Sequence, residues 1–194
     1  MGNKRYTNEF NVTIHEDLFE RPLLWKKPQT IFVNSMSDLF HESIPIEVIK
    51  AIFSTMNKAS WHTFQILTKR AERLVEISTQ LDWTSNIWMG VSVEDASSIN
   101  RCQLLKQTPA KVKFVSAEPL IERLESIDLN GIHWLIVGGE SGHGCRPMDK
   151  AWVLELKDKA AKSNSAFFFK QWGGVHKSKK GSLLDGQEYK EYPK

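Results

Sequence analysis

The chain has 194 residues, with 41% hydrophobic and 25% charged side chains and a net charge of +3. These are ordinary values for one globular domain with a sizeable core. No apolar run reaches the length of a membrane span, and MGNKRYTNEF holds no apolar leader core, so a membrane or exported protein is not expected.

Two cysteines, Cys102 and Cys145, stand at no metal-ligand spacing and read as reduced thiols of a cytoplasmic protein. The mild basicity permits contact with nucleic acid without arguing for it.

In chain order, short runs rich in Val, Ile, Phe and Trp predict strands at Phe10–Ile14, Thr30–Asn34, Thr63–Thr68, Ile87–Val93, Val112–Ser116, His133–Val137 and Ala166–Phe169. Most are apolar throughout, the pattern of parallel strands covered on both faces. Helical periodicity falls between them. Pro45–Ala59 carries Ile46, Ile49, Ile52, Phe53 and Met56, and Arg70–Leu81 carries Leu74, Ile77 and Leu81. Ala96–Gln107 stops before Pro109, and Lys150–Ser163 follows Asp149, a suitable N-cap. The link from Glu118 to Ile132 is too short for a full helix and reads as a loop with one turn.

Residues 1–174 therefore predict a single domain of repeated βα units. The fold class is α/β, a partial TIM-like barrel of parallel strands, since a complete eightfold barrel takes about 250 residues. Residues 175–194, including the basic run His176–Lys180, predict a mobile tail.

One phrase recurs: Val91-Ser92-Val93-Glu94, Val115-Ser116-Ala117-Glu118 and Val137-Gly138-Gly139-Glu140 each end a strand in a carboxylate at one offset. In a βα barrel the C-terminal strand ends open on one face, and the following loops build the site there. Lys69 and Lys170 should join Glu94, Glu118 and Glu140 at that mouth and leave it with a mild anionic bias. Such a site would suit an ammonium group, a metal or sugar hydroxyls. Two glycines straight after a strand let another group approach closely, and free N–H groups in such a turn would hold an anion. Taken alone, a plain tight turn is the favoured reading of these glycines. Trp61, Trp88 and Trp134 read as packing, and Trp172 as a stacking lid. His143-Gly144-Cys145 lacks a second pair of ligands for a metal.

FVNSMSDLFH (32–41), FQILTKR (64–70), WMGVSVED (88–95), FVSAEPL (114–120), IVGGESG (136–142) with RPM (146–148), and FFKQWG (168–173) resemble the phage gene-product thirty-seven/sixty-eight family. The resemblance runs from about Phe10 to Gly173. It implies a barrel like that of radical S-adenosylmethionine enzymes, with a three-cysteine motif for an iron–sulfur cluster in its first βα segment. That segment would precede Phe10, where the sequence holds no cysteine. The resemblance therefore implies a barrel missing its first βα unit: a shortened member, half of a split protein or a truncated form.

On the same resemblance, Asn34, Ser35, Ser37 and Asp38 would line the ligand pocket with Gly138, Gly139, Glu140, Ser141, Gln171 and Trp172. Glu94, Glu118, Lys69 and Lys170 would orient polar groups. The leading expectation is a nucleotide-like ligand at the mouth and no cofactor in the isolated chain. S-adenosylmethionine would serve only if a second polypeptide supplied the cluster. A scaffold that binds or inhibits a host protein is the alternative, and a metal-dependent hydrolase using the three carboxylates ranks last.

Overall fold

A computed structural model of the chain describes residues 12–175 and 181–193. Six parallel strands follow one another in space as they do in sequence: β1 (Thr30–Val33), β2 (Thr63–Thr68), β3 (Ile87–Ser92), β4 (Val112–Ala117), β5 (Trp134–Gly138) and β6 (Ala166–Gln171). The sheet curls into half a barrel. A seventh expected strand, Phe10–Ile14, is not present over residues 12–14, and Phe10 and Asn11 lie outside the described residues.

The helices form where the apolar stripe and the caps agree. α1 (Ile46–Lys58) starts after Pro45 and buries Ile49, Phe53 and Met56, one face of a 3.6-residue repeat. α2 (Ala71–Ser78) buries Ala71, Leu74, Ile77 and Ser78. The third helix is shorter than its periodicity suggests. The Asp95 side chain accepts from the Ser98 N–H, and Ser98 accepts from the backbone at Asp95. This capping box winds Ala96–Ser98 as a tight turn, so α3 covers only Asn100–Lys106. α4 (Lys150–Lys162) begins as expected, with Asp149 Oδ1 accepting from the Ala151 N–H at 2.8 Å.

All four helices contribute to one core with a single strand parity: Phe64 and Ile66, Ile87, Met89 and Val91, Val115 and Ala117, Leu135 and Val137, Phe167 and Phe169. The opposite parity faces the inside of the curl. The apolar runs are therefore covered by helices on one face and by the curl of the sheet on the other. The inner face is filled by the sheet's own aromatic residues, because a curled sheet brings its inner side chains together. Phe114 and Trp134 are 1% and 4% exposed yet stand apart from the helical core. An added Cβ on Gly90 would collide with the Phe114 ring, so that glycine makes room for the ring.

The segment expected to be mobile behaves otherwise where it is described. β7 (Leu183–Leu184) and β8 (Gln187–Glu188) form a small antiparallel hairpin. Residues 189–191 then run antiparallel along β6: Phe169 N–H donates to the Tyr189 carbonyl at 2.9 Å and Glu191 N–H to the Phe167 carbonyl at 3.2 Å. This strap covers an edge that would otherwise expose unpaired backbone groups. The basic run at 176–180 lies outside the described residues.

Candidate functional site at the strand C-terminal rim

Parallel strands put their C-terminal ends on one side, so Glu94, Glu118 and Glu140 follow three adjacent strands onto a common rim. Loop hydrogen bonds tie those ends together. Ile121 N–H donates to the Glu94 carbonyl at 3.1 Å, Leu120 N–H to the Gly138 carbonyl at 2.9 Å, and Ala96 N–H to Glu122 Oε2 at 3.0 Å.

Each rim carboxylate has its own cation. Glu94, 8% exposed, is ion-paired with Lys69 and accepts from Arg101 Nη1 at 3.0 Å; Arg101 also donates to the Ser92 carbonyl. Glu118 meets Lys170 Nζ at 3.0 Å and accepts from Ser116 Oγ at 3.0 Å. Glu140 takes Arg146 through the side chain, at 2.7 Å and 2.9 Å, and through its backbone N–H at 2.8 Å. Those Arg146 hydrogen bonds hold the Glu140 carboxyl down at about 2. The Arg146 guanidinium is raised, first by Glu140 and further by Asp95 and Glu94, so the loop after β5 reaches toward the end of β3. Lys69, Arg101, Arg146 and Lys170 thus pair with the three glutamates, while Arg70 is taken by Asp38 and Glu42. Arg101 had no role in the sequence reading, since its position in α3 shows no link to Glu94 until the helix packs beside β3.

The loop after β1 is a structural clamp at one residue and open at others. Asp38 accepts from Thr68 Oγ1 at 2.7 Å, Lys69 N–H at 3.1 Å, Arg70 Nη1 at 3.1 Å and Phe40 N–H at 2.9 Å. Its lone pairs are used up, and it fastens β1 to β2. Asn34, with φ +60°, turns the chain, and Asn34, Ser35 and Ser37 remain exposed.

Gly138 and Gly139 serve close approach rather than an open cradle. A Cβ on Gly138 would lie 2.6 Å from Glu118 Oε1, so this glycine is the window through which Glu118, after β4, reaches Lys170 on β6. A Cβ on Gly139 would strike the Trp172 carbonyl, and the Gly139 N–H is taken by the Gln171 carbonyl at 2.9 Å. Gln171 Nε2 donates to Ser141 Oγ at 2.9 Å. Trp172 is anchored by its Nε1 to the Leu183 carbonyl at 2.8 Å and by an edge contact with Phe169, so it closes the loop against the hairpin.

A cleft of about 350 Å³ beside the rim is bordered by Cys145, Arg146, Pro147, Met148, Trp172 and Gly174. A larger one, about 450 Å³ between α1 and Gln80–Asp82, lies away from the rim and gathers no convergent chemistry.

The cysteines do not make a cluster site. Cys102 is buried in α3, donates to the Asp128 carbonyl at 3.3 Å and is pushed up to about 11 by burial, which disfavours the thiolate a metal needs. Among the described residues, no three His, Cys, Asp or Glu side chains gather to hold a metal ion. No helix among the described residues is long and apolar enough to cross a membrane.

Glu140 yields a pH prediction. Its folded pKa lies near 2 against an ordinary value of 4.5, so its stabilising contact with Arg146 is fully present above about pH 4.5. It is lost as the pH falls through about 2. The Arg146 amide proton, followed by NMR, should titrate with a midpoint near the lower value; a midpoint near 4.5 would show the contact to be absent in solution.

No curated protein and no solved structure matches the chain. A family model matches from residue 1 to residue 193, and the chain belongs to that family, described as a protein of unknown function (DUF5131).

Proposed function

We propose that the rim and inner face of this half-barrel bind a nucleotide-like ligand, in a radical-SAM-like barrel that holds no iron–sulfur cluster of its own. The observation that carries this reading is the pairing of two half-exposed lysines, Lys69 and Lys170, with rim glutamates above an aromatic inner face. An anionic group can exchange for a carboxylate at either lysine while an apolar ring lies against the sheet. The two cysteines present, Cys102 and Cys145, do not supply the three thiolates such a cluster takes.

Calorimetric titration with adenosine monophosphate and with S-adenosylhomocysteine tests the reading. Micromolar binding of at least one is expected, and Lys170→Met should weaken the phosphate-bearing ligand about tenfold by removing a charged hydrogen bond. No heat from either ligand would sink the reading.

The outer edge of β1 favours a second reading, a scaffold that binds a host protein by strand addition. Among the described residues β1 pairs only with β2, and Phe32 and Met36 beside it are 46% and 80% exposed. Capture of that partner would be lost in Phe32→Asp and kept in Glu118→Ala and Glu140→Ala.

A further inference from the structure

The two edges of the six-stranded sheet differ. The outer edge of β6 is occupied by residues 189–191, through the bonds from Phe169 N–H to the Tyr189 carbonyl and from Glu191 N–H to the Phe167 carbonyl. Among the described residues, β1 has a neighbour on one side only, β2. Its sequence, Thr30-Ile31-Phe32-Val33, carries no charge and no proline, and its register with β2 holds no bulge. Those are the devices that usually keep a bare edge from pairing.

The ladder tells which backbone groups are free. The Gln29 carbonyl accepts from the Thr63 N–H at 2.9 Å, and successive residues of a strand turn their backbone groups to opposite sides. Gln29, Ile31 and Val33 therefore bond β2, while Thr30 and Phe32 turn N–H and C=O outward. The Phe32 side chain lies on the inner face, in one row with Gln65 and Trp88.

We propose that β1 is the twofold interface of a homodimer, in which two copies pair antiparallel with Phe32 directly opposite Phe32 of the second copy. A copy that offered its β6 edge would build an open head-to-tail chain, but the strap already takes that edge. The pairing that remains is β1 with β1, and it closes at two copies. The outward groups set the register. Phe32 exchanges both N–H···O bonds with its counterpart, as a hydrogen-bonded antiparallel pair with Cα atoms about 5.5 Å apart. The two rings then form a cross-strand aromatic pair on the inner face, and Ile31 comes opposite Val33 on the face the helices cover. The strand ends match as well. Antiparallel pairing carries Met36, 80% exposed just past β1, toward the start of the other β1, where Leu24 and Trp61 are 77% and 41% exposed. Trp61 is fixed there by its Nε1, which donates to the Trp25 carbonyl at 2.7 Å. The rims of the two copies point to opposite ends of the joined sheet, so each keeps its own set of rim residues.

This inference rests on the strand-addition reading of β1 and names a second copy as the added strand. Sedimentation equilibrium of the full chain should show a dimer that dissociates at concentrations on the order of tens of micromolar. Phe32→Asp should raise that dissociation constant at least about tenfold, because two carboxylates then stand directly opposite each other. A short bifunctional thiol cross-linker reads the register in a Cys145→Ser background. Phe32→Cys should be joined across the twofold, and Met36→Cys should not, since eight residues of ladder, roughly 25 Å, separate the two copies of residue 36. Met36 is the more exposed of the two side chains, so chance collision would favour it. Circular dichroism reports whether each variant is folded.

A chain that stays monomeric up to about a millimolar overturns the proposal. So does a dimer indifferent to Phe32→Asp, or one cross-linked as readily through Met36→Cys. If a monomeric chain still captures a partner that Phe32→Asp releases, strand addition at β1 stands and only the second copy is ruled out.

Discussion

Gly139→Ala should destabilise the protein by about 3 kcal/mol, the upper range for overpacking against atoms that cannot yield. The new methyl would meet the carbonyl of Trp172, which is main chain. Moving it would break the hydrogen bond from Gly139 N–H to the Gln171 carbonyl and the return bond from Gly174 N–H to the Glu140 carbonyl at 2.7 Å. Gly131→Ala is the control. Gly131 has φ +79° and nothing within 4 Å of an added Cβ, so only the left-handed backbone is penalised, at about 1 kcal/mol. Urea unfolding of both variants measures the difference. Equal losses would show that the two loops do not approach as closely as the geometry requires.

Glu94→Ala is the second large effect, at about 3 kcal/mol. Its carboxylate is buried, and its two cations come from different elements, Lys69 after β2 and Arg101 in α3. Removing it leaves Arg101, whose side chain is only 25% exposed, partly desolvated without its partner and close to a second positive charge; truncating one side of a buried pair is costly for this reason. Arg101 keeps the Ser92 carbonyl at 2.9 Å, which moderates the loss. A double-mutant cycle with Arg101→Ala separates the terms, and a coupling above about 1 kcal/mol is expected for groups in direct contact. Additive losses would mean that Glu94 and Arg101 do not share a contact in solution. The same variant bears on binding, because freeing Lys69 makes it available to an anionic ligand.

These two sites also show where reading the chain succeeds and where it stops. The repeated phrase that ends in Glu94, Glu118 and Glu140 was legible because strand periodicity and the residue that follows a strand are local features. Parallel strands then bring those ends to one side without any further information. The Asp149 cap was legible for the same reason. Arg101 was not, because its partner becomes visible only when α3 lies against β3. The meaning of Gly138 and Gly139 was open for a similar cause. A glycine required by a turn and a glycine required by a neighbour look alike in sequence, and the neighbours here, Glu118 and Trp172, belong to other strands.

The amino-acid order alone thus determined the succession of strands and helices between Thr30 and Gln171, their common direction and the rim on which three carboxylates arrive. Folding in three dimensions decided the rest: which cation neutralises which acid, that the inner face is floored by Trp88, Phe114, Trp134 and Phe168, and that the strap ending in Tyr192 lies over it. The physical reason is range. Backbone periodicity and capping act over a few residues, whereas charge pairing and ring stacking depend on inter-strand register and on the curl of the sheet, which no local stretch encodes by itself.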